Sequence, residues 1–132
     1  MAIKLAIVTP EAEALSIECD EVVAPGANGD LGLLPGHIPL ITALRPGVLT
    51  VIKSGKSNHY AVSTGFAEIE HDTVTILTAS CESKDQIDLD AAKAALTEAE
   101  RALKDIGEND AKYPELSRAR NRAQARIDTA ER

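Results

Sequence analysis

Gly29-Asp-Leu-Gly-Leu-Leu-Pro-Gly-His-Ile-Pro-Leu-Ile-Thr-Ala-Leu-Arg-Pro-Gly-Val-Leu49 is the stretch on which the fold of this chain turns. It carries four of the chain's eight glycines and three of its six prolines. Apolar pairs sit between them: Leu33-Leu34, Leu40-Ile41 and Val48-Leu49. Proline removes backbone donors and glycine reaches positive φ without strain, so a segment punctuated this densely is no helix. It reads as a loop that turns sharply, dips into a core and hands over to a strand. Short extended pieces are expected at Leu31–Leu34 and Leu40–Leu44.

Strand signals lie on both sides of it. Ile3–Val8 alternates and is closed by Thr9-Pro10. Leu15–Asp20 alternates strictly, with Leu15, Ile17 and Cys19 facing inward and Ser16, Glu18 and Asp20 facing water. Glu21–Ala24 extends it or starts a partner, and Pro25-Gly-Ala-Asn-Gly29 reads as a turn cluster. Val48–Lys53 and His59–Ser63 flank Ser54–Asn58 as one hairpin; Gly65–Glu70 and Thr73–Thr78 flank a tight His71-Asp72 turn as another. Eight to ten short strands in about 80 residues is the spacing of a β-sandwich or flattened barrel.

After Ser83 the period changes. Leu89, Ala92, Leu96, Ala99, Leu103 and Ile106 recur at alternating intervals of three and four, the stripe of one helix. Asp88 is its N-cap candidate and Gly107 its stop. A second stripe follows in Leu116, Ala119, Ala123, Ile127 and Ala130. Pro114 is tolerated only in a first turn, so this helix is expected to begin between Asn109 and Tyr113. Two helices joined by so short a connection form an antiparallel hairpin. The expected division is therefore a sandwich over residues 1–85 and a hairpin over residues 86–132. Because the hairpin stripes are mostly Ala and Leu, the hairpin is held weakly and is a candidate moving part.

Composition narrows the functions available. The 132 residues carry a net charge of −7 and only 2% aromatics, Tyr60, Phe66 and Tyr113. Base stacking and a polyanion partner are both disfavoured. Charge is unevenly placed: residues 112–132 hold 6 bases against 3 acids, whereas residues 1–85 hold 5 bases against 11 acids. Cys19 and Cys81 sit in strand-like runs and read as buried free thiols. No stretch approaches a membrane span, and the strand-like N-terminus has no signal-peptide layout. His37, His59 and His71 have no metal-ligand spacing, no nucleophile elbow or phosphate loop is present, and Glu68 and Glu70 are a solvated strand face. No active site, metal or cofactor is expected. The informative polar feature is Arg118, Arg122 and Arg126, spaced i, i+4, i+8 along one helical face. They form either a solvated face paired with Glu98, Glu100 and Asp105 or a ridge of guanidinium forks that recognises carboxylate or phosphate.

The opening stretch also resembles the epsilon subunit of F-type ATP synthase, whose pattern runs G-[ED]-[LIM]-G-[ILV]-x-P-x-H followed by apolar residues and a second Pro-Gly turn. Thr9-Pro10, Ser63-x-Gly65-Phe66, Val74-x-Ile76-Leu77 and the hairpin beginning at Ile87-Asp88 fit as well, so the resemblance spans essentially the whole chain. It implies a β-sandwich of about ten strands with a helical hairpin, in a non-catalytic rotor subunit between the gamma subunit and the ring of c subunits. It also implies a hairpin that leaves the sandwich, enters the hexamer of alpha and beta subunits and blocks ATP hydrolysis. Asp30, Leu31, Leu34 and His37 fall in the loop that meets the c ring. Some members bind regulatory ATP through Ile/Leu-Asp-x-x-Arg-Ala and second-helix arginines. Here Ile87, Asp88, Ala92, Arg122 and Arg126 match, while Ala91 stands at the Arg position and removes a phosphate contact. Arg118, Arg122 and Arg126 become the inhibitory contacts with the hexamer. The implied location is peripheral, on the cytoplasmic face of a bacterial inner membrane or the stromal thylakoid face. Two other readings remain: a nucleotide-sensing module whose hairpin closes on ATP, and a free-standing sandwich adaptor with a helical arm.

Overall fold

The computed structural model describes residues 2–132. Ten strands run in chain order: β1 (Ile3–Val8), β2 (Glu13–Cys19), β3 (Glu21–Gly26), β4 (Gly29–Leu33), β5 (Leu40–Leu44), β6 (Gly47–Lys53), β7 (Lys56–Val62), β8 (Gly65–Glu70), β9 (Thr73–Thr78) and β10 (Cys81–Ser83). A 3-10 turn, Lys84–Gln86, leads to α1 (Leu89–Lys104) and α2 (Tyr113–Ala130). The ladder runs β10-β7-β6-β3-β5-β8-β9-β1-β2, with β4 paired to β3. All pairings are antiparallel except β1 with β9. A single bridge, Gly26 with Leu44, joins β3 to β5. The sheet folds over at this weak joint, giving two layers around one core.

Strict alternation fills that core. Ile3, Leu5 and Ile7 of β1, Val74 and Ile76 of β9, Ile69 of β8 and Leu49 and Val51 of β6 are all at most 1% exposed. Burying a side chain of this size contributes roughly 1.5–3 kcal/mol, so this cluster dominates the stability of the fold. The β2 alternation holds: Cys19 is buried, Leu15 and Ile17 pack against the core, and Ser16 and Glu18 face water.

Two expected turns are shorter than the residue types imply. Pro25 and Gly26 belong to β3, where they pair with Asp30 and Gly29, and only Ala27-Asn28 is left as the turn. Proline is tolerated because it stands near the end of its strand, and its carbonyl accepts from Arg45 N at 3.0 Å. Gly26 is required because a Cβ there would stand 2.6 Å from the Gly29 carbonyl oxygen. Likewise β7 starts at Lys56, which leaves Ser54-Gly55 as the hairpin turn, both at positive φ.

The helices follow their stripes. Asp88 caps α1, its carboxylate accepting from Ala91 N at 3.1 Å. Gly107 is not the left-handed stop: the helix ends at Lys104 with Asp105 as C-cap, and Gly107 lies beyond it without positive φ. Pro114 falls in the first turn of α2, after Lys112. Both expected stripes are shielded, but α2 has a second buried face, Ala125 and Thr129. That face lies on β6 and β7, while the other packs on α1. So α2 is the layer between sandwich and α1, a role its stripe alone does not reveal.

Candidate functional site

Two regions carry the expected functional residues: the loop between β4 and β5, and the clefts along α2. The loop spans residues 34–39. Gly36 has φ +84, which lets the chain reverse, and His37 N donates to Leu34 O at 3.1 Å to close the turn. This reversal leaves Ile38 75% exposed and Leu34 half-exposed. His37 is half-buried, with Nδ1 2.7 Å from the Ile38 carbonyl. Leu34 and His37 therefore share one loop tip. Leu31 and Asp30 lie below it on β4, and Asp30 is not a free charge. Its Oδ1 accepts from Arg45 Nη2 at 2.8 Å, and Arg45 Nη1 donates to Gly26 O at 2.6 Å.

An apolar row continues from the loop across the outer face of the sandwich. The ladders place Ala43 beside Phe66, Phe66 beside Leu77, and Leu77 beside Val8. Phe66 is 57% exposed, and Leu77 and Ile41 are also largely exposed. Sequence could have shown this row: Phe66 alternates with Glu68 and Glu70 on the solvated face of β8, an outlier for a large aromatic.

One cleft of about 290 Å³ lies between the sandwich and both helices. Ala61, Ser63 and Glu82 form its floor, Ala95 comes from α1, and Arg122 and Arg126 come from α2. Arg126 Nε lies 2.9 Å from Glu82 Oε1, and Nη2 donates to Oε2 at 3.2 Å. Nε–H points off the line to its oxygen, so that contact is charge attraction without a formed hydrogen bond. Both side chains are about 30% exposed, and an ion pair of this exposure with one hydrogen bond contributes at most about 1 kcal/mol. The three arginines are thus not equivalent. Arg126 turns into the cleft and is paired, Arg122 lines it, and Arg118 is exposed outside it. Among the described residues, none of the three pairs with Glu98, Glu100 or Asp105.

Of the residues proposed for ATP, only Arg122 and Arg126 line this cleft. Asp88 is spent on its cap, Ala92 is fully buried and Ile87 is half-buried before α1. Glu82 and Lys84 were not visible from sequence as partners. Lys84 Nζ donates to the Arg132 carbonyl at 2.6 Å and so ties the 3-10 turn to the end of α2.

A second cleft, about 450 Å³, opens on the other side of α2 and is lined by Arg45, Thr50, His59, Ala125, Asp128 and Arg132 among others. His59 Nδ1 is 3.0 Å from Thr50 Oγ1. Burial, and then the Arg132 and Lys84 cations, hold the His59 pKa below its ordinary 6.5. Burial and Glu82 push the Cys81 thiol up to about 11, and burial raises Cys19, so both free thiols stay protonated near neutrality. Among the described residues, no group of three His, Cys, Asp or Glu could hold a metal ion. No helix among them is long and apolar enough to cross a membrane.

Comparison with known proteins matches residues 2–84 to the family described as the ATP synthase delta/epsilon chain, beta-sandwich domain. The ATP synthase epsilon chains of Citrifermentans bemidjiense and Geobacter sulfurreducens are each 44% identical over 128 residues, covering 97% of this chain and 93% of theirs. The epsilon chain of Anaeromyxobacter sp. is 42% identical over the full length of both. In a cryo-EM structure of the Euglena gracilis mitochondrial ATP synthase, comprising OSCP, F1 and c-ring, one chain superposes with TM-score 0.83 at 26% identity. That match covers 99% of this chain and 82% of the other. A chain of the Tetrahymena thermophila central stalk and c-ring shares the fold, with TM-score 0.62 at 12% identity.

Proposed function

The chain belongs to the ATP synthase epsilon-chain family, and on that premise we propose how its two parts serve a non-catalytic central-stalk subunit. Its partners are the gamma subunit, the c ring and the catalytic alpha and beta subunits. The sandwich is the fixed part. Its loop, through Leu34 and His37 with Leu31 and Asp30 beneath, docks on the c ring. Its exposed Phe66–Leu77 row buries against gamma, because an apolar row this exposed is of interface type. The hairpin is the movable part, and it inhibits ATP hydrolysis when it extends into the catalytic hexamer. The chain is peripheral to the membrane, and its similarity to bacterial epsilon chains supports the cytoplasmic face of an inner membrane as its location.

One observation carries the reading. The hairpin is fastened to the sandwich by alanine contacts, the partly buried Arg126–Glu82 ion pair and the Lys84–Arg132 hydrogen bond, and not by a shared core of large side chains. Such a hold is weak enough for a competing acidic partner to take over its arginines. The two positions then differ in a testable way. Changing Glu82→Gln loosens the docked state without touching the hairpin, so hydrolysis by the assembled enzyme is expected to fall. Changing Arg118→Ala, which lies outside the cleft, removes a hexamer contact and none to the sandwich, so hydrolysis is expected to rise while synthesis continues. If both variants shift hydrolysis the same way, the hairpin is not moving between two binding sites.

A second reading has one supporting feature, the cleft that Arg122 lines between sandwich and hairpin. An ATP phosphate there would have to displace Glu82 from Arg126. Equilibrium dialysis with ATP tests it, and retention of ATP at cellular concentration would favour a nucleotide-sensing hairpin.

A further inference from the structure

The β8–β9 turn is made by His71 and Asp72, with φ of +50 and +58. Two consecutive residues in this left-handed region belong to a type I′ turn, where Asn-Gly or Gly-Gly is the usual choice. Neither residue here is glycine, and Asp72 stands at the second position, where glycine is the usual residue. Asp tolerates the conformation better than most residues, but tolerance alone gives its carboxylate no task.

The Asp72 carboxylate supplies an explanation. Its Oδ1 accepts a hydrogen bond from Gly36 N at 2.7 Å, across 36 residues of chain. Its own carbonyl accepts from Lys4 N at 2.9 Å, which fixes the turn to the start of β1. Gly36 sits at the apex of the 34–39 loop, at positive φ. Among the described residues this is the one side-chain hydrogen bond from the sandwich body to that loop. Without it the loop tip is held only by its own turn and by the strands at its two ends. The bond is charge-assisted, and its short length fits that class.

We propose that Asp72 is a positioning residue for rotor docking: its carboxylate pins Gly36 so that Leu34, His37 and Ile38 meet the partner as a preformed surface. The inference rests on the reading of this loop as the c-ring contact. A docking surface fixed in advance does not have to be ordered on binding, and that is where affinity is gained. The residue itself touches nothing on the partner. Its strained turn is the local cost of a rigid loop elsewhere.

The test uses the full chain and purified gamma–c-ring rotor, with binding, thermal stability and amide exchange measured on the same proteins. Asp72→Gly removes the carboxylate and relieves the backbone at once. The isolated chain is expected to melt no lower than the parent, while the Gly36 amide loses exchange protection and rotor affinity falls by about tenfold. Asp72→Asn keeps an acceptor oxygen in place and is expected to restore both protection and most of the affinity. Parent-like affinity or unchanged Gly36 protection in Asp72→Gly overturns the proposal. So does Asp72→Asn binding as poorly as Asp72→Gly, because the charge would then be acting on the partner directly. Ile38→Asp serves as the separate control. If it binds the rotor normally, the loop is not the contact and the docking reading itself fails, whereas Gly36 protection still reports whether the tether exists.

Discussion

In the sandwich the buried positions include Ile3, Leu5, Ile7, Leu33, Leu49, Ile69 and Ile76; in the hairpin they are Ala92, Ala99, Ala123, Ala125, Ile127 and Thr129. Both regions shield apolar stripes from water, yet the area removed at an alanine is roughly half that at an isoleucine or leucine. A buried Ile or Leu contributes roughly 1.5–3 kcal/mol, an alanine methyl under about 1 kcal/mol. The hairpin also buries a defect, because Thr129 Oγ1 is fully shielded and has no hydrogen-bond partner. An unsatisfied buried hydroxyl costs about 1–3 kcal/mol. The same chain therefore holds a body packed on large apolar side chains and two helices packed largely on small ones, and the difference lies in side-chain size and polar satisfaction.

The sharpest way to break this comparison is to delete bulk from each part. Ile76→Ala in β9 is expected to cost about 2–5 kcal/mol and to lower the main unfolding transition. Ile127→Ala in α2 is expected to leave that transition nearly in place and to show instead as faster amide exchange across α1 and α2. A chain ending at residue 85 is expected to melt cooperatively for the same reason. If Ile127→Ala lowers the main transition as far as Ile76→Ala does, the hairpin belongs to the core and is not a separable arm.

A smaller effect runs the other way. Thr129→Val keeps the shape and removes the unpaired hydroxyl, so docking is expected to tighten by about 1 kcal/mol. Slower exchange in α2 and less inhibited hydrolysis in the assembled enzyme are the two readouts. An unchanged exchange rate shows that the hydroxyl finds a partner in solution, and the docked state then carries no such defect.

The smallest effect is expected from pH. Burial, Arg132 and Lys84 depress the His59 pKa while α2 is docked, and release of α2 returns it toward 6.5. The undocked state therefore binds the proton more tightly. The His59 contribution to docking is complete above about pH 6.5 and fades as pH falls from there toward the depressed value. Hairpin exchange measured between pH 7.5 and 5.5 is expected to accelerate on the acid side, and His59→Gln is expected to flatten that dependence. A parent chain with no acceleration below pH 6.5 shows that α2 is not what shields the ring.

Much of this architecture is legible along the chain. The alternation in Ile3–Val8 and Gly65–Glu70 fixes backbone type and inward face together, because a strand has only two faces. The three-four rhythm from Leu89 to Ile106 does the same for a helix, and glycines and prolines mark where neither can continue. These are local properties, set by dihedral preference and side-chain period. What could not be read locally is who meets whom. Arg118, Arg122 and Arg126 look alike in sequence, yet only Arg126 finds an acid, Glu82, 44 residues away. Asp30 reads as an exposed loop charge until Arg45 is found against it, and Asp72 reads as a turn residue until Gly36 is found on its carboxylate. Ala125 and Thr129 fall outside the stripe because α2 packs on two neighbours at once. Each of these is a contact between segments far apart in the chain, set by where α2 lies on β6 and β7 and by which strands the sheet brings together. Those are sums of many weak contacts over the whole molecule, and no short segment contains them.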